Sequence, residues 1–330
     1  MTGTMKAAMR DRYGPPDVVE LRDIATPTPA PDQVLVRVRA ASVNRADLDY
    51  LTPRPSFTRL FIGLRAPNTR RVGIDVAGVV ESVGAEVTRF APGDRVFADL
   101  YPCGHGAFAE FACAREKAFQ AIPDAMSFED AATLPHSATL AFQGLRLRDG
   151  RTPRPGDRVV IDGAGGNVGP FAVQIAKSMG AEVTAIDHPT KLEFLRSLGA
   201  DHVLGYTAVD YTKTGERYDW ILDTDSHHSL FAVRRALRPD GVYVTLGGTS
   251  LPIVAALTLA PAMSRLTGKR MGLLLWWRPF HGPDVAAIAD LVVRGQVTPR
   301  IDRRYPLGDV VEALRYVDEG RPCGKVVITV

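Results

Sequence analysis

The sequence predicts a two-domain α/β protein, a mostly β domain followed by a doubly wound parallel sheet. Three observations carry that expectation. A length of 330 residues is about twice the roughly 150 of an average domain, the first 125 residues are rich in short β-type runs, and strands alternate with helices from residue 129 onward. The β-type runs lie at 34–38, 76–83, 96–100 and 108–113, separated by Gly, Pro and Asp. Branched and aromatic residues suit a pleated surface, and those turn residues interrupt it. A helical stretch at 129–147 opens the second pattern. Strands at 158–162, 182–187, 202–206, 218–223, 241–246 and 271–276 then alternate with helices at 168–179, 191–198 and 229–237. A buried parallel strand needs a helix to return the chain, so this alternation predicts a parallel sheet with right-handed crossovers. The last fifty residues drop the rhythm, with helices at 284–294 and 308–318 and strands near 298–303 and 325–330. They are assigned back to the first domain, which gives domains 1–126 with 278–330 and 127–277, and a ligand cleft between them.

Hydrophobic residues at 45% and charged ones at 23% describe a folded chain, and 30 Gly with 24 Pro are too few for a low-complexity one. Forty basic against 37 acidic side chains leave a formal charge of +3, with no dense basic run interleaved with aromatics. Neither a nucleic acid nor a membrane surface is therefore expected as partner; a small molecule is. Cys103, Cys113 and Cys323 form no CxxC pair and no even disulfide framework, which fits a reducing compartment. The N-terminus lacks an apolar signal core, and the longest apolar stretch, 251–263, is short for a span and holds Pro252 and Pro261. A soluble, cytoplasmic protein is the expectation.

The clearest chemistry is the run Val159-Val160-Ile161-Asp162-Gly163-Ala164-Gly165-Gly166-Asn167-Val168-Gly169, a strand that enters glycines and then a helix. Such a turn brings backbone N–H groups close to a pyrophosphate at a helix N-terminus, where dipole and unpaired donors favour an anion. Gly163, Gly165, Gly166, Asn167, Val168 and Gly169 are thus predicted to hold a dinucleotide. Asp187, ending the next strand, suits a ribose 2′-OH and would repel a 2′-phosphate, so NADH is favoured over NADPH. Lys191 and Tyr206 could meet a 2′-phosphate if Asp187 turned aside, and Asp187 could instead cap the helix that starts near Thr190. Leu246, Gly247 and Gly248, at the carboxyl edge of the fifth strand, are expected beside the nicotinamide.

A wider pattern joins these pieces. The runs Ala41-Ser42-Val43-Asn44-Arg45-Ala46-Asp47-Leu48, Gly73-Ile74-Asp75-Val76-Ala77-Gly78-Val79-Val80 and Pro92-Gly93-Asp94-Arg95-Val96-Phe97, the glycine turn, and Gly324-Lys325-Val326-Val327-Ile328 follow one another nearly end to end. Together they resemble the medium-chain dehydrogenase/reductases, most of all the zeta-crystallin-like quinone oxidoreductases. The resemblance implies a GroES-like catalytic domain, a Rossmann domain, and a homodimer joined through the last Rossmann strand, here 271–276. It also implies that Asn44 and Asp47 help to hold the catalytic end of the cleft, and that Arg45 contacts the pyrophosphate, a role its planar guanidinium suits.

The departures from that pattern bear on the chemistry. Zinc-dependent relatives place Cys where this chain has Asn44, and Gly-His-Glu where it has Gly73-Ile74-Asp75. They also carry a four-cysteine lobe that three scattered cysteines cannot supply. A catalytic zinc takes about three protein ligands, so no metal is expected. Without a Lewis acid, hydride delivery to an activated acceptor, a quinone or the β-carbon of an enone, is the expected reaction. Tyr50, His105 or water is left to protonate the product. Leu140 stands where relatives often have a threonine beside the nicotinamide carboxamide, with Thr139 one position away. Arg54, Arg59, Arg65, Arg70 and Arg71 crowd residues 52–71 without an acid, and Phe57, Leu60, Phe61, Ile62 and Leu64 among them suggest a bulky substrate. Two alternatives stay open: an alcohol or ketone dehydrogenase, and a non-catalytic NAD(P)H-binding sensor.

Overall fold

The computed structural model describes residues 3–54 and 56–330. The chain divides into two compact units, one holding the chain up to Thr139 with Arg278–Val293 and Pro299–Val330, the other holding Leu140–Trp277 and Arg294–Thr298. In chain order the first unit contributes β1 (Thr4–Met9), β2 (Glu20–Ala25), β3 (Gln33–Val43), β4 (Asp75–Val83), β5 (Arg95–Asp99), β6 (Phe111–Arg115) and β7 (Phe119–Ala121). The second contributes β8 (Arg158–Asp162), β9 (Glu182–Asp187), β10 (His202–Gly205), β11 (Tyr218–Asp223), β12 (Leu237–Thr245) and β13 (Arg270–Leu273). The chain then returns to the first unit with β14 (Ile301–Pro306) and β15 (Lys325–Thr329).

The β unit holds a seven-stranded sheet ordered β14-β15-β3-β4-β5-β7, with β6 also on β3, beside the β1-β2 ribbon. Along β3 the exposed Arg37 and Arg39 alternate with the buried Val36 and Val38, as a sheet with one wet face requires. The other unit is a six-stranded sheet, β10-β9-β8-β11-β12-β13, whose pairings are all parallel. Its strands β8, β9 and β11 are buried almost continuously, because helices cover both faces. The mostly β domain and the doubly wound parallel sheet expected from the sequence are both present. Val34, Val36, Val76, Val96, Val326 and Ile328 pack with Leu314 in the β unit, and Val160, Ile221, Val233 and Tyr243 pack in the other. A buried branched side chain contributes roughly 1.5–3 kcal/mol, so each core ties together residues far apart in sequence.

The differences from expectation are local. The helix expected over 129–147 is two helices, Phe128–Thr133 and Ser137–Gly144, because Pro135 between them has no N–H to continue the ladder. Phe128–Thr133 packs on β3 and β4, so the division between units falls at Thr139/Leu140 where the sequence suggests 126/127. The strand expected at 108–113 starts at Phe111, since Ala107 and Phe108 donate their N–H groups to Gly73 and Val72 (3.0 and 3.2 Å) instead of the ladder. The strand expected at 271–276 is the shorter β13. Among the described residues no single helix is long and apolar enough to cross a membrane; only the bent pair Ser250–Thr258 and Ala260–Thr267 reaches that length jointly.

Candidate functional site

In the parallel unit, β8 runs into the turn at 163–168 and then into the ten-residue helix Gly169–Ser178. Gly163 has a φ of +76°, and a Cβ at Gly169 would overlap the Ala164 backbone, so the helix can start this close to the turn only without side chains. Asp187 closes the turn from β9. Its Oδ2 accepts the Gly165 N–H (2.7 Å) and its Oδ1 the His188 N–H (2.7 Å). The Lys191 ammonium reaches the Gly165 carbonyl at 3.3 Å, and both Asp187 and Lys191 are buried. Asp187 does not cap the following helical turn; His188 does, with Nδ1 accepting the Thr190 N–H. Val168 holds the N-cap position before Gly169, and Asn167 completes the turn.

Further along the same sheet edge, Tyr206 is exposed and meets the His188 ring edge-on at 5.8 Å. Leu246 donates its N–H to the Asp223 carbonyl (2.9 Å), the Gly247 carbonyl accepts the Ser226 N–H (3.0 Å), and Gly248 has a φ of +134°. These residues lie at the carboxyl ends of parallel strands, where open sheets bind ligands. A glycine turn that side chains would block, at the positive end of a helix and beside an acid one strand over, fits a dinucleotide. Two acids here escaped the sequence reading. Asp162 and Asp223 end neighbouring strands as register partners. Burial and the Asp223 charge push Asp162 well above the usual carboxylate range, and burial raises Asp223 to about 6 against hydrogen bonds from Ser226 and Tyr243.

The β unit brings together a second set of residues. Asn44 precedes the helix Arg45–Leu51, and its N–H is held by Asp47 Oδ2 (2.8 Å). The Asn44 carboxamide is committed on both sides: Nδ2 donates to Asp75 Oδ2 (2.9 Å), while Oδ1 accepts from Lys325 Nζ (2.6 Å) and Ser137 Oγ (2.8 Å). Lys325 also donates to Ser137 Oγ (3.0 Å) and lies 3.7 Å from Asp75 Oδ2. Asp75 further accepts from Ser42 Oγ (3.2 Å) and the His136 N–H (3.0 Å), and His136 Nδ1 meets Asp99 Oδ2 at 2.8 Å. The sheet explains the assembly, since Asp75 is register partner to both Ser42 and Asp99, and Val326, next to Lys325, is partner to Val43.

Every member of this network is buried. Burial raises Asp47 to about 7, against the Asn44 N–H, and it raises Asp75 to about 6 despite Lys325. Burial likewise lowers Lys325, while for His136 the Asp99 carboxylate overcomes burial and raises it. Sequence reading singled out Asn44 and Asp47 and missed Asp99, Ser137 and Lys325. A lysine opening an otherwise apolar strand was the available signal, because lysine is almost never fully buried unless paired. Among the described residues no three His, Cys, Asp or Glu side chains converge as a metal site requires.

Tyr50, in the last turn of Arg45–Leu51, lies 4.3 Å from the His105 ring and 5.2 Å from Tyr101, whose ring stands 5.7 Å from His136. Tyr50 and His105 are thus brought together, on the same unit as Asn44 and Asp47. Arg45 is exposed and faces carboxylates, Asp49 at 3.3 Å and Asp318 at 3.6 Å. In the arginine-rich stretch, Arg70 pairs with Asp11 (3.4 Å), Arg59 lies over the Tyr13 ring (4.9 Å), and Leu60, Phe61 and Leu64 are exposed. Thr139 is buried with its hydroxyl unpartnered among the described residues, one position from Leu140.

Residues 30–124 match the alcohol dehydrogenase GroES-like domain and residues 198–328 the zinc-binding dehydrogenase family. The chain is 32% identical to the mouse (Mus musculus) protein NAD(P)H oxidoreductase RTN4IP1, mitochondrial, over 99% of this chain and 89% of that one. It is 30% identical to the 2-methylene-furan-3-one reductase of tomato (Solanum lycopersicum), over 98% and 79%. The solved quinone oxidoreductase from Coxiella burnetii superposes with a TM-score of 0.86 at 26% identity, covering 99% of this chain and all of that one.

Proposed function

Because the chain belongs to the medium-chain dehydrogenase/reductase superfamily, in its quinone oxidoreductase-like branch, we propose that this NAD(P)H-dependent oxidoreductase works without zinc on a quinone or a bulky α,β-unsaturated carbonyl. The observation that carries the reading is the Asn44 carboxamide locked between Asp75 and Lys325. A zinc ion takes about three protein ligands. Here the Asp75 carboxylate is already spent on Ser42, Asn44 and the His136 N–H, and a fixed ammonium lies 3.7 Å away, so a metal cation would meet like charge. An isolated carbonyl then goes without a Lewis acid, which favours an acceptor that conjugation has already activated.

Bound NAD(P)H supplies the hydride. The turn from Gly163 through Gly169 would hold its pyrophosphate at the helix end, Leu246, Gly247 and Gly248 would flank the nicotinamide, and Asp187 would take the ribose hydroxyls, which favours NADH. Lys191 keeps Asp187 company through the Gly165 carbonyl, and Tyr206 stands exposed at the ribose side. In the β unit, Asn44 and Asp47 fix the start of the helix that carries Tyr50. Tyr50 donates the proton that the substrate's carbonyl oxygen takes up when the C=C electron pair shifts toward it, and solvent restores the tyrosine. Homodimer formation through the edge strand β13, next to the exposed Leu275, belongs to the same reading. So does a cytoplasmic location, which the thiols Cys103 and Cys113 support.

The test is oxidation of NADH and NADPH by EDTA-treated protein, with 4-phenyl-3-buten-2-one against its saturated ketone. Loss of nicotinamide absorbance with the enone alone is expected. Turnover of the saturated ketone only, or binding without any turnover, would replace this reading by a dehydrogenase or a sensor. In Asp187→Ser the loss of a charged hydrogen-bond acceptor is expected to move the NADH/NADPH rate ratio about tenfold toward NADPH; an unchanged ratio would show that Asp187 does not face the ribose.

A further inference from the structure

His105 sits at a φ of +62°, between Gly104 at +85° and Gly106 at +113°. Three consecutive residues in the left-handed region make a turn that a side chain at its centre disfavours. The surrounding backbone imposes it nonetheless. His105 donates its N–H to the Leu100 carbonyl (3.1 Å), Gly106 and Ala107 both donate to Gly73 (2.8 and 3.0 Å), and Thr69 Oγ1 donates to the Gly104 carbonyl (2.8 Å). Glycine would take this conformation freely, yet the position holds an imidazole that is 4% exposed.

What the imidazole does touch is Tyr50. The two rings lie 4.3 Å apart at 56°, with Tyr101 5.9 Å from His105 and set edge-on to Tyr50 at 5.2 Å. The buried Arg10 guanidinium donates to the Tyr50 carbonyl. Tyr50 is thereby held from its backbone, from its edge and from its face, and only the last of these depends on residue 105. The position therefore asks for an aromatic ring on a left-handed backbone. Of the aromatic residues, histidine is the one enriched at positive φ.

We propose that His105 is a positioning residue: its ring fixes the plane of Tyr50 and so aims the Tyr50 hydroxyl at the substrate oxygen. The proposal rests on Tyr50 being the proton donor of the reaction given above. Burial, with the charges of Arg10 and Arg71, lowers His105 to about 3, which favours the neutral imidazole.

The experiment uses the full-length enzyme with NADH and 4-phenyl-3-buten-2-one. His105→Asn keeps a residue that tolerates positive φ and removes the ring; His105→Gly favours the backbone conformation and keeps the protein folded should the first variant fail to fold. Both are expected to lower kcat about tenfold, with the KM for NADH unchanged and the solvent isotope effect on kcat increased as proton transfer slows. A ring that merely filled space would leave the isotope effect where it was. Tyr50→Phe is expected to lower kcat by roughly 10²-fold, and adding His105→Asn to it to cost nothing more. A wild-type rate in His105→Gly, or a double variant slowed by the full product of the two single effects, would overturn the proposal. A full rate in Tyr50→Phe would overturn it too while leaving enone reduction intact, whereas wild-type protein inert toward the enone would remove the reaction itself.

Discussion

The two units bury acid among different partners. In the parallel sheet, Asp162 and Asp223 lie side by side at strand ends; burial raises both toward the protonated form, and the Asp223 charge raises Asp162 further. Asp187 beside them spends its oxygens on backbone N–H groups. In the β unit, Asp75 and Asp99 lie equally deep, but each faces a nitrogen partner, the Lys325 ammonium at 3.7 Å or the His136 imidazole at 2.8 Å. The first arrangement sits at the carboxyl ends of parallel strands, beside the N-terminus of the helix Gly169–Ser178. The second is closed on itself and is built to hold its neighbours still. The two arrangements are expected to answer differently to substitution.

The largest expected effect is in the closed network. Lys325→Met leaves buried carboxylates without their ammonium, which typically costs 3–5 kcal/mol, so the urea midpoint should fall by about that equivalent. A loss below about 1 kcal/mol would mean that the network is no more rigid than a surface ion pair. Next comes Gly169→Ala, whose methyl would press into the Ala164 backbone. Overpacking of this kind costs about 1–3 kcal/mol, and nucleotide fluorescence titration should show NADH affinity falling at least tenfold. Affinity retained in this variant would mean that the helix end does not carry the anion.

The smallest effect sharpens the comparison through pH. Asp47 and Asp75 are raised to about 7 and about 6, so the folded β unit keeps protons that the unfolded chain has released. Their contribution to stability is full below the ordinary carboxylate range near 4 and is lost as pH rises through about 7. Asp47→Asn keeps an oxygen for the Asn44 N–H and removes one such proton. Its melting temperature should decline less steeply than wild type between pH 5 and 7, by up to the roughly 1.4 kcal/mol per pH unit that one proton sets. Identical slopes would show that Asp47 titrates normally in the fold.

The parallel unit was legible because its site is local: strand, turn and helix are contiguous, and Asp187 ends the very next strand. Even there Asp162 passed as a polar strand end, since only its pairing with Asp223 across the sheet makes it unusual. In the β unit Asn44 and Asp47 stood out through the helix start they frame, whereas Lys325 lies 281 residues from Asn44 and acquires meaning only when β15 pairs with β3. His105 was visible as a histidine between glycines. Its left-handed backbone and its ring contact with Tyr50 follow from the Gly73 and Thr69 hydrogen bonds, which no local pattern announces.

The placement of Lys325 on β15 also bears on how the protein is made. During synthesis Asn44 and Ser137 emerge 281 and 188 residues ahead of it. The inserted parallel unit has all its strands once β13 has been translated at Leu273, and it can close its own core while the ribosome is still working. Asp75 lacks its ammonium counter-ion throughout that interval. The β unit's polar centre is therefore the last part of the molecule to mature, and a ribosome paused between β13 and β15 displays a chain whose cofactor-binding half is finished before its tyrosine-bearing half can set.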